Sequence, residues 1–276
     1  MAESSRGPGG PLDRALSLAR EALAATPAGL LTDFDGTLSP IVADPASARL
    51  AGGAADALTG LTDQLAVVAV ITGRAPLDAR RMTGVPGLVV VGNHGTEWLE
   101  PGSDAPVASP AADRARSAVR EALALVPADG GITIEDKGVS ATVHYRTAAD
   151  PTAARRRILG ALGDPGPTLE LRPGRMSVEI RPRGLGDKGA AARAVIGRFG
   201  LRGVVVMGDD VTDLDMFAAV AGARAAGGLR GAIIGVGGAD AEVPPEVIAA
   251  ADAVLDSPEA AARFLVALAD RDAPNG

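Results

Sequence analysis

Gly29-Leu30-Leu31-Thr32-Asp33-Phe34-Asp35-Gly36-Thr37 passes from a short apolar run directly into two carboxylates and a glycine. A run of that length, closed by a turn residue, reads as a strand buried on both faces. The same grammar returns at Leu65 to Ile71, Leu88 to Val91, Val204 to Met207 and Ala232 to Val236, with helix-like segments between. Leu12, Leu16, Ala19 and Leu23 add a helix ahead of the first strand. Strands alternating with helices predict an α/β fold with a doubly wound, Rossmann-like parallel sheet. In such sheets ligands sit outside the carboxyl ends of the strands, so the residues just after each strand carry the chemistry.

The pattern changes between about residues 101 and 184. Ile132 and Ile134 alternate with Thr133 and Glu135; Val139, Ala141, Val143 and Tyr145 alternate with Ser140, Thr142, His144 and Arg146; Val178 and Ile180 alternate with Ser177, Glu179 and Arg181. Period-two alternation gives a sheet with one apolar and one polar face. Helices near Arg114 to Val126 and Thr152 to Leu162 are expected to cover the apolar face. The expected organisation is therefore a tail at 1–10, a core at 11–100 and 185–270, a smaller inserted α/β cap domain at 101–184, and a tail at 271–276. Glu135, His144, Arg146, Glu179 and Arg181 then share an open polar face, whose plainer reading is a solvated sheet surface.

With 276 residues, 47% of them hydrophobic, the chain buries a substantial core. It has no cysteine, which excludes disulfides, thiolate metal sites and a cysteine nucleophile. A net charge of -7 and 2% aromatic content argue against nucleic-acid binding. The first ten residues lack an apolar core and no apolar run reaches membrane-spanning length, so the expectation is a cytoplasmic protein without membrane partners; a monomer is expected, although the sequence does not determine oligomeric state. Arginine serves almost everywhere as the cation, and the two lysines are Lys137 and Lys188. Each is a candidate for a place where a compact ammonium is needed rather than a planar fork.

Four sites follow strands or open helices. Asp33 and Asp35, two apart on extended backbone, can face one way, one attacking phosphorus and the other donating a proton to the leaving oxygen. Thr72-Gly73-Arg74 brings a hydroxyl and backbone amides to the end of the next strand, where a phosphoryl oxygen needs donors; as a plain alternative it is a helix cap. Lys188 falls at a helix start, which the helix dipole disfavours, unless it neutralises carboxylates and a phosphoryl group. Gly208-Asp209-Asp210-Val211-Thr212-Asp213 places three carboxylates in five residues, a set of hard oxygen ligands for magnesium.

Asp-x-Asp-Gly-Thr, Thr-Gly-Arg, Lys and Gly-Asp-Asp-x-x-Asp, in that order, resemble the four motifs of the haloacid-dehalogenase superfamily. The resemblance covers the chain from about Gly29 to Leu268. It implies Asp33 as nucleophile, Asp35 as acid/base, Thr72 as phosphate ligand and Lys188 as charge stabiliser. It implies Mg2+ held by Asp33, the backbone carbonyl of Asp35 and Asp209, with Asp210 and Asp213 in support. Asp33 to Ile41, Gly92-Asn93-His94-Gly95, Glu135-Asp136-Lys137, His144-Tyr145-Arg146 and Glu179-Ile180-Arg181-Pro182 narrow the likeness to the trehalose-6-phosphate phosphatases. That implies sugar hydroxyls gripped by Glu135, Lys137 and Glu179, with Gly73, Arg74, Asn93, His94, His144, Arg146 and Arg181 as further substrate-binding candidates. The chain departs from the family pattern at Asn93, Arg175 and Leu214.

Plainer readings stand beside some of these. His94 can pin a loop, His144 can fill a sheet face, Trp98 reads as core or hinge packing, Arg155-Arg156-Arg157 as a solvated helix face, and Gly235 to Gly238 as a turn. Rival functions are a phosphatase for sucrose phosphate or a glycosyl phosphoglycerate, a phosphomutase, and a sugar-binding module without turnover. Intact Asp33, Asp35, Lys188, Asp209 and Asp213 speak against the last.

Overall fold

The computed structural model describes residues 10–42, 44–108, 110–128, 130–174, 176–183, 187–237 and 243–270. Arg175 and Gly238, named above, lie outside them. The chain forms two compact units, Met1–Pro106 with Gly186–Gly276, and Val107–Leu185.

In the larger unit, helices α1 (Pro11–Leu23), α2 (Ala54–Thr62) and α3 (Pro76–Thr83) alternate with strands β1 (Ala28–Thr32), β2 (Val67–Ile71) and β3 (Val89–Gly92). A short strand β4 (Glu97–Leu99) turns back antiparallel onto β3. The small unit contributes β5 (Val107–Ala108), α4 (Pro110–Leu123), β6 (Thr133–Asp136), β7 (Ala141–His144), α5 (Pro151–Leu162), β8 (Leu169–Gly174) and β9 (Ser177–Pro182). The larger unit resumes with α6 (Lys188–Arg198), β10 (Gly203–Gly208), α7 (Leu214–Ala225), β11 (Arg230–Val236), α8 (Pro245–Ala250), β12 (Ala253–Leu255) and α9 (Pro258–Ala269).

The core strands run in the order β12-β11-β10-β1-β2-β3-β4, parallel except for β4. Alternate side chains feed two apolar layers, as the period of a strand requires. Leu30, Val68, Val70, Val205 and Met207 pack with α1, α2 and α9; Leu31, Ala69, Ile71, Val204 and Val206 pack with α6 and α7. Strands covered on both faces need apolar residues at every position, and the continuous runs in the sequence reflect this. The chain winds from β1 towards β2 on one side and later from β10 towards β11 on the other. Direction therefore reverses between β1 and β10, and in such sheets ligands lie at the carboxyl ends of the strands on either side of the reversal.

The small unit is an antiparallel sheet ordered β6-β7-β9-β8. Ala141, Val143, Val178 and Ile180 bury one face against Ala115 and Val119 of α4 and Ala154 and Ile158 of α5. Two expectations shift here. Ile134 is 42% exposed although it belongs to the apolar register, because β6 is an edge strand and the helices pack on β8 and β9. Strand β7 ends at His144, which leaves Arg146 exposed in the following turn rather than on the sheet.

Candidate active site

β1 and β10 lie in register with Thr32 beside Met207, and the Asp33 amide donates to the Met207 carbonyl at 3.1 Å. The residues that follow each strand are thereby brought side by side. Carboxylate oxygens of Asp33, Asp209 and Asp213 all lie within 4.8 Å of one another. Lys188 begins α6 behind the N-cap Asp187, and its Nζ lies 3.0 Å from Asp33 Oδ1 and 2.6 Å from Asp213 Oδ1. Asp33, Asp213 and Lys188 are all buried.

The cluster has unequal members. Asp213 accepts from Lys188 Nζ at Oδ1 and from the amides of Asp209 and Asp210 at Oδ2, at 3.0 and 3.1 Å, so it braces the loop. Asp209 is held by the Thr37 hydroxyl, which donates to its Oδ1 at 2.8 Å. Asp210 is exposed and caps the short turn Val211–Asp213 through Val211 N. Gly36 has φ +82, and a Cβ there would lie 2.0 Å from Asp209 Oδ2. Only glycine lets the turn after Asp35 pass this close.

Three carboxylates around one ammonium leave excess negative charge. Burial, with Asp213 and Asp209 nearby, pushes the Asp33 carboxyl well above the usual range despite Lys188. Burial, with Asp213 close by, pushes Asp209 up to about 7, against the Thr37 hydrogen bond and Lys188. Burial opposes the charge on Lys188, but Asp33 and Asp213 outweigh it and hold the ammonium firmly protonated. Such an oxygen-donor cluster fits a hard divalent cation, because a second positive charge removes the repulsion that lifts these groups. Asp33 and Asp209 are the members with oxygen to offer; the Asp35 and Asp210 carboxylates are not part of the close group.

Thr72 is buried at the end of β2, its amide bound to the Val91 carbonyl and its hydroxyl accepting from Arg74 N at 3.2 Å. The His94 imidazole lies against Gly73, where a Cβ would come within 2.7 Å of the ring. Asn93 and His94 both adopt positive φ, 49° and 57°, with their amides on the Arg74 and Thr72 carbonyls. Asn93 is buried and its amide donates to Glu97. Arg74 does not point along the strand end: it forks onto Asp35.

In the small unit, Glu135 Oε2 lies 3.3 Å from His144 Nε2 and 3.6 Å from Lys137 Nζ. Registers align Glu135, Thr142, Glu179 and Arg172 in one row across the sheet, and Arg181 lies opposite Glu170. Arg181 Nη1 is 4.0 Å from Glu179 Oε2. Thr142 was read only as one polar residue of an alternating strand, and Glu170 and Arg172 were not read at all, although their alternation with Leu169 and Leu171 would have placed them on this face. Thr37 and Gly36 also gained their roles only in three dimensions.

The fold, a Rossmann-like core with an inserted α/β unit, is that of the haloacid-dehalogenase-like hydrolases. The family of trehalose phosphatases matches residues 31–231, and the chain belongs to that family. The trehalose-phosphate phosphatase of Mycobacterium avium (strain 104) is 35% identical over 269 residues, covering 94% of this chain and 66% of that protein. The trehalose-phosphate phosphatase of Mycobacterium tuberculosis (strain ATCC 25618 / H37Rv) is 34% identical over 215 residues, covering 74% of this chain and 54% of that protein. The chain thus spans just under two thirds of the first relative's length and about half of the second's. Among solved structures, the C-terminal domain of trehalose-6-phosphate phosphatase from C. albicans superposes with a TM-score of 0.67 at 22% identity, covering 97% of this chain and 99% of that one. Among the described residues, no helix is long and apolar enough to cross a membrane.

Proposed function

We propose that this chain hydrolyses trehalose 6-phosphate to trehalose and inorganic phosphate, with magnesium, through a phospho-aspartate. The observation that carries the reading is the buried Asp33-Lys188-Asp213 cluster at the reversal point of the sheet, with Asp209 beside it. An Asp33 oxygen attacks phosphorus and forms an acyl phosphate as the bond to the sugar oxygen breaks. The Asp35 carboxyl gives its proton to that departing oxygen. A water then attacks the same phosphorus, Asp35 takes its proton back, the acyl phosphate breaks, and Asp33 is restored as phosphate leaves. Lys188 steadies the charge on Asp33 and on the phosphoryl oxygens, and Thr72 donates a hydroxyl to one of them. Magnesium, held by Asp33, the Asp35 carbonyl and Asp209, would supply the positive charge that lets the crowded carboxylates accept a phosphate dianion. The polar sheet face of the small unit, acting as a substrate-gripping cap, supplies Glu135, Lys137 and Glu179 as partners for sugar hydroxyls.

Phosphate release from a panel of sugar phosphates, after chelation and after magnesium is restored, tests this. Trehalose 6-phosphate should lead the panel, and chelated protein should be inactive. Full turnover in excess chelator would overturn the metal. Preference for sucrose phosphate, or isomerisation of a glucose phosphate, would overturn the substrate or the reaction.

A further inference from the structure

Arg74 stands among the substrate-binding candidates, but its guanidinium is committed elsewhere. Nε donates to Asp35 Oδ2 at 2.7 Å and Nη2 to Asp35 Oδ1 at 2.5 Å, a two-point fork. Nη1 donates to the Pro45 carbonyl at 2.9 Å, and the guanidinium lies 5.3 Å from the centre of the Phe34 ring. The backbone of Arg74 is fixed as well, its amide on Thr72 Oγ1 and its carbonyl accepting from Asn93 N. The Arg74 side chain is 14% exposed, whereas that of Asp35 is 40% exposed. Among the described residues, Arg74 is the side chain that pairs with Asp35. A half-exposed carboxylate on a turn samples several rotamers unless something holds its plane, and a bidentate guanidinium holds both position and plane.

We propose that Arg74 is the positioning residue for Asp35: anchored on Pro45 and Phe34, it sets where the carboxyl stands relative to the strand end that carries Asp33. This rests on the assignment of Asp35 as acid/base above. Arg74 touches no reacting atom in this role. Its effect is felt where the leaving oxygen needs a proton, because misplacing a general acid forfeits part of the roughly 10²- to 10⁴-fold that such a group contributes. A sugar alkoxide leaves poorly without that proton. A nitrophenolate leaves well without it.

The test uses Arg74→Met, which keeps an unbranched stem beside Phe34 and removes the fork, and Arg74→Lys, which keeps the charge without the fork. For each, kcat/KM is measured on trehalose 6-phosphate and on p-nitrophenyl phosphate, together with inhibition by inorganic phosphate. The expected result is a fall of about tenfold or more in the ratio of the two kcat/KM values, with phosphate inhibition within about threefold of the parent, which also reports an intact core. Arg74→Lys should recover no more than part of the ratio. Equal losses on both substrates with weakened phosphate inhibition would make Arg74 a phosphate ligand, and an unchanged ratio would make the fork incidental; either overturns the proposal. Asp35→Asn is the control in the same assay. If it leaves the ratio unchanged, the acid/base assignment itself falls; if it lowers the ratio and Arg74→Met does not, only the positioning role falls.

Discussion

The Lys188 ammonium lies 3.0 Å from the Asp33 carboxylate with both side chains buried, and the same nitrogen is 2.6 Å from Asp213. One compact cation thus serves two carboxylates that come from different strands. A guanidinium is wider and planar, and it cannot bring a single nitrogen to both oxygens in a packed site. Lys188→Arg should therefore lose most phosphatase activity despite conserving charge. Steady-state rates check this; a variant within about twofold of the parent would make Lys188 incidental.

Removing the charge has a second consequence. Lys188→Met leaves Asp33 and Asp213 buried without their shared cation, and breaking a buried pair in this way typically costs about 3–5 kcal/mol. Urea unfolding of the metal-free protein should show a lower midpoint than the parent, and magnesium should recover part of the loss. A midpoint equal to the parent's would mean that water reaches the cluster.

Gly36→Ala should damage the site without touching a functional side chain. At φ +82 the new methyl group would sit 2.0 Å from Asp209 Oδ2, so Asp209 must leave its place under the Thr37 hydroxyl. The strained backbone adds roughly 1–3 kcal/mol. Magnesium stabilisation, read as the rise in Tm on adding the ion, should shrink by more than half. An undiminished rise would show that Asp209 is dispensable for metal.

The pH dependence of that rise follows from the carboxylates. The folded-state value of Asp209, about 7, lies above its ordinary 3.8, so the folded protein binds the proton more tightly than the unfolded chain does. This contribution to metal-free stability is present below about pH 4 and is lost as pH rises through 7. A cation competes with the proton for the same oxygens. Magnesium should accordingly raise Tm more at pH 7.5 than at pH 5, and an equal or reversed effect would remove Asp209 from the metal site.

Much of this was legible because buried parallel strands have no polar face to disguise them. The runs at Leu30, Val68, Val90, Val205 and Ile233 announced themselves, and each site motif follows such a run or opens a helix. Strands β4 and β12 were not read, since three residues at a sheet margin give no usable period. The exposure of Ile134 needed knowledge of which strands the helices cover. The Arg74 fork joins residues 39 apart in sequence, and nothing in either motif says that Arg74 turns back towards the first rather than outward to a phosphate. Thr37 was quoted as part of a motif, but its grip on Asp209 spans 172 residues and depends on strand order.

The last prediction concerns the polar sheet face. Glu135 sits between His144 and Lys137, and Glu179 lies in the same row beyond Thr142, so both carboxylates are held on one surface by strand register. A sugar hydroxyl donates well to a carboxylate, and such charged contacts are worth on the order of 1–3 kcal/mol each. Glu135→Gln and Glu179→Gln keep shape and lose charge. Each should lower kcat/KM for trehalose 6-phosphate by roughly 5- to 150-fold, and should lower it far less for an aryl phosphate, which has no sugar hydroxyls to hold. Both are partly exposed, at 43% and 36% for the side chains, so the fold should tolerate the change. Equal losses on the two substrates would assign these residues to folding or to the phosphate-handling centre, and no loss on either would return the face to a solvated sheet. A loss confined to sucrose phosphate would keep the phosphatase and replace its substrate.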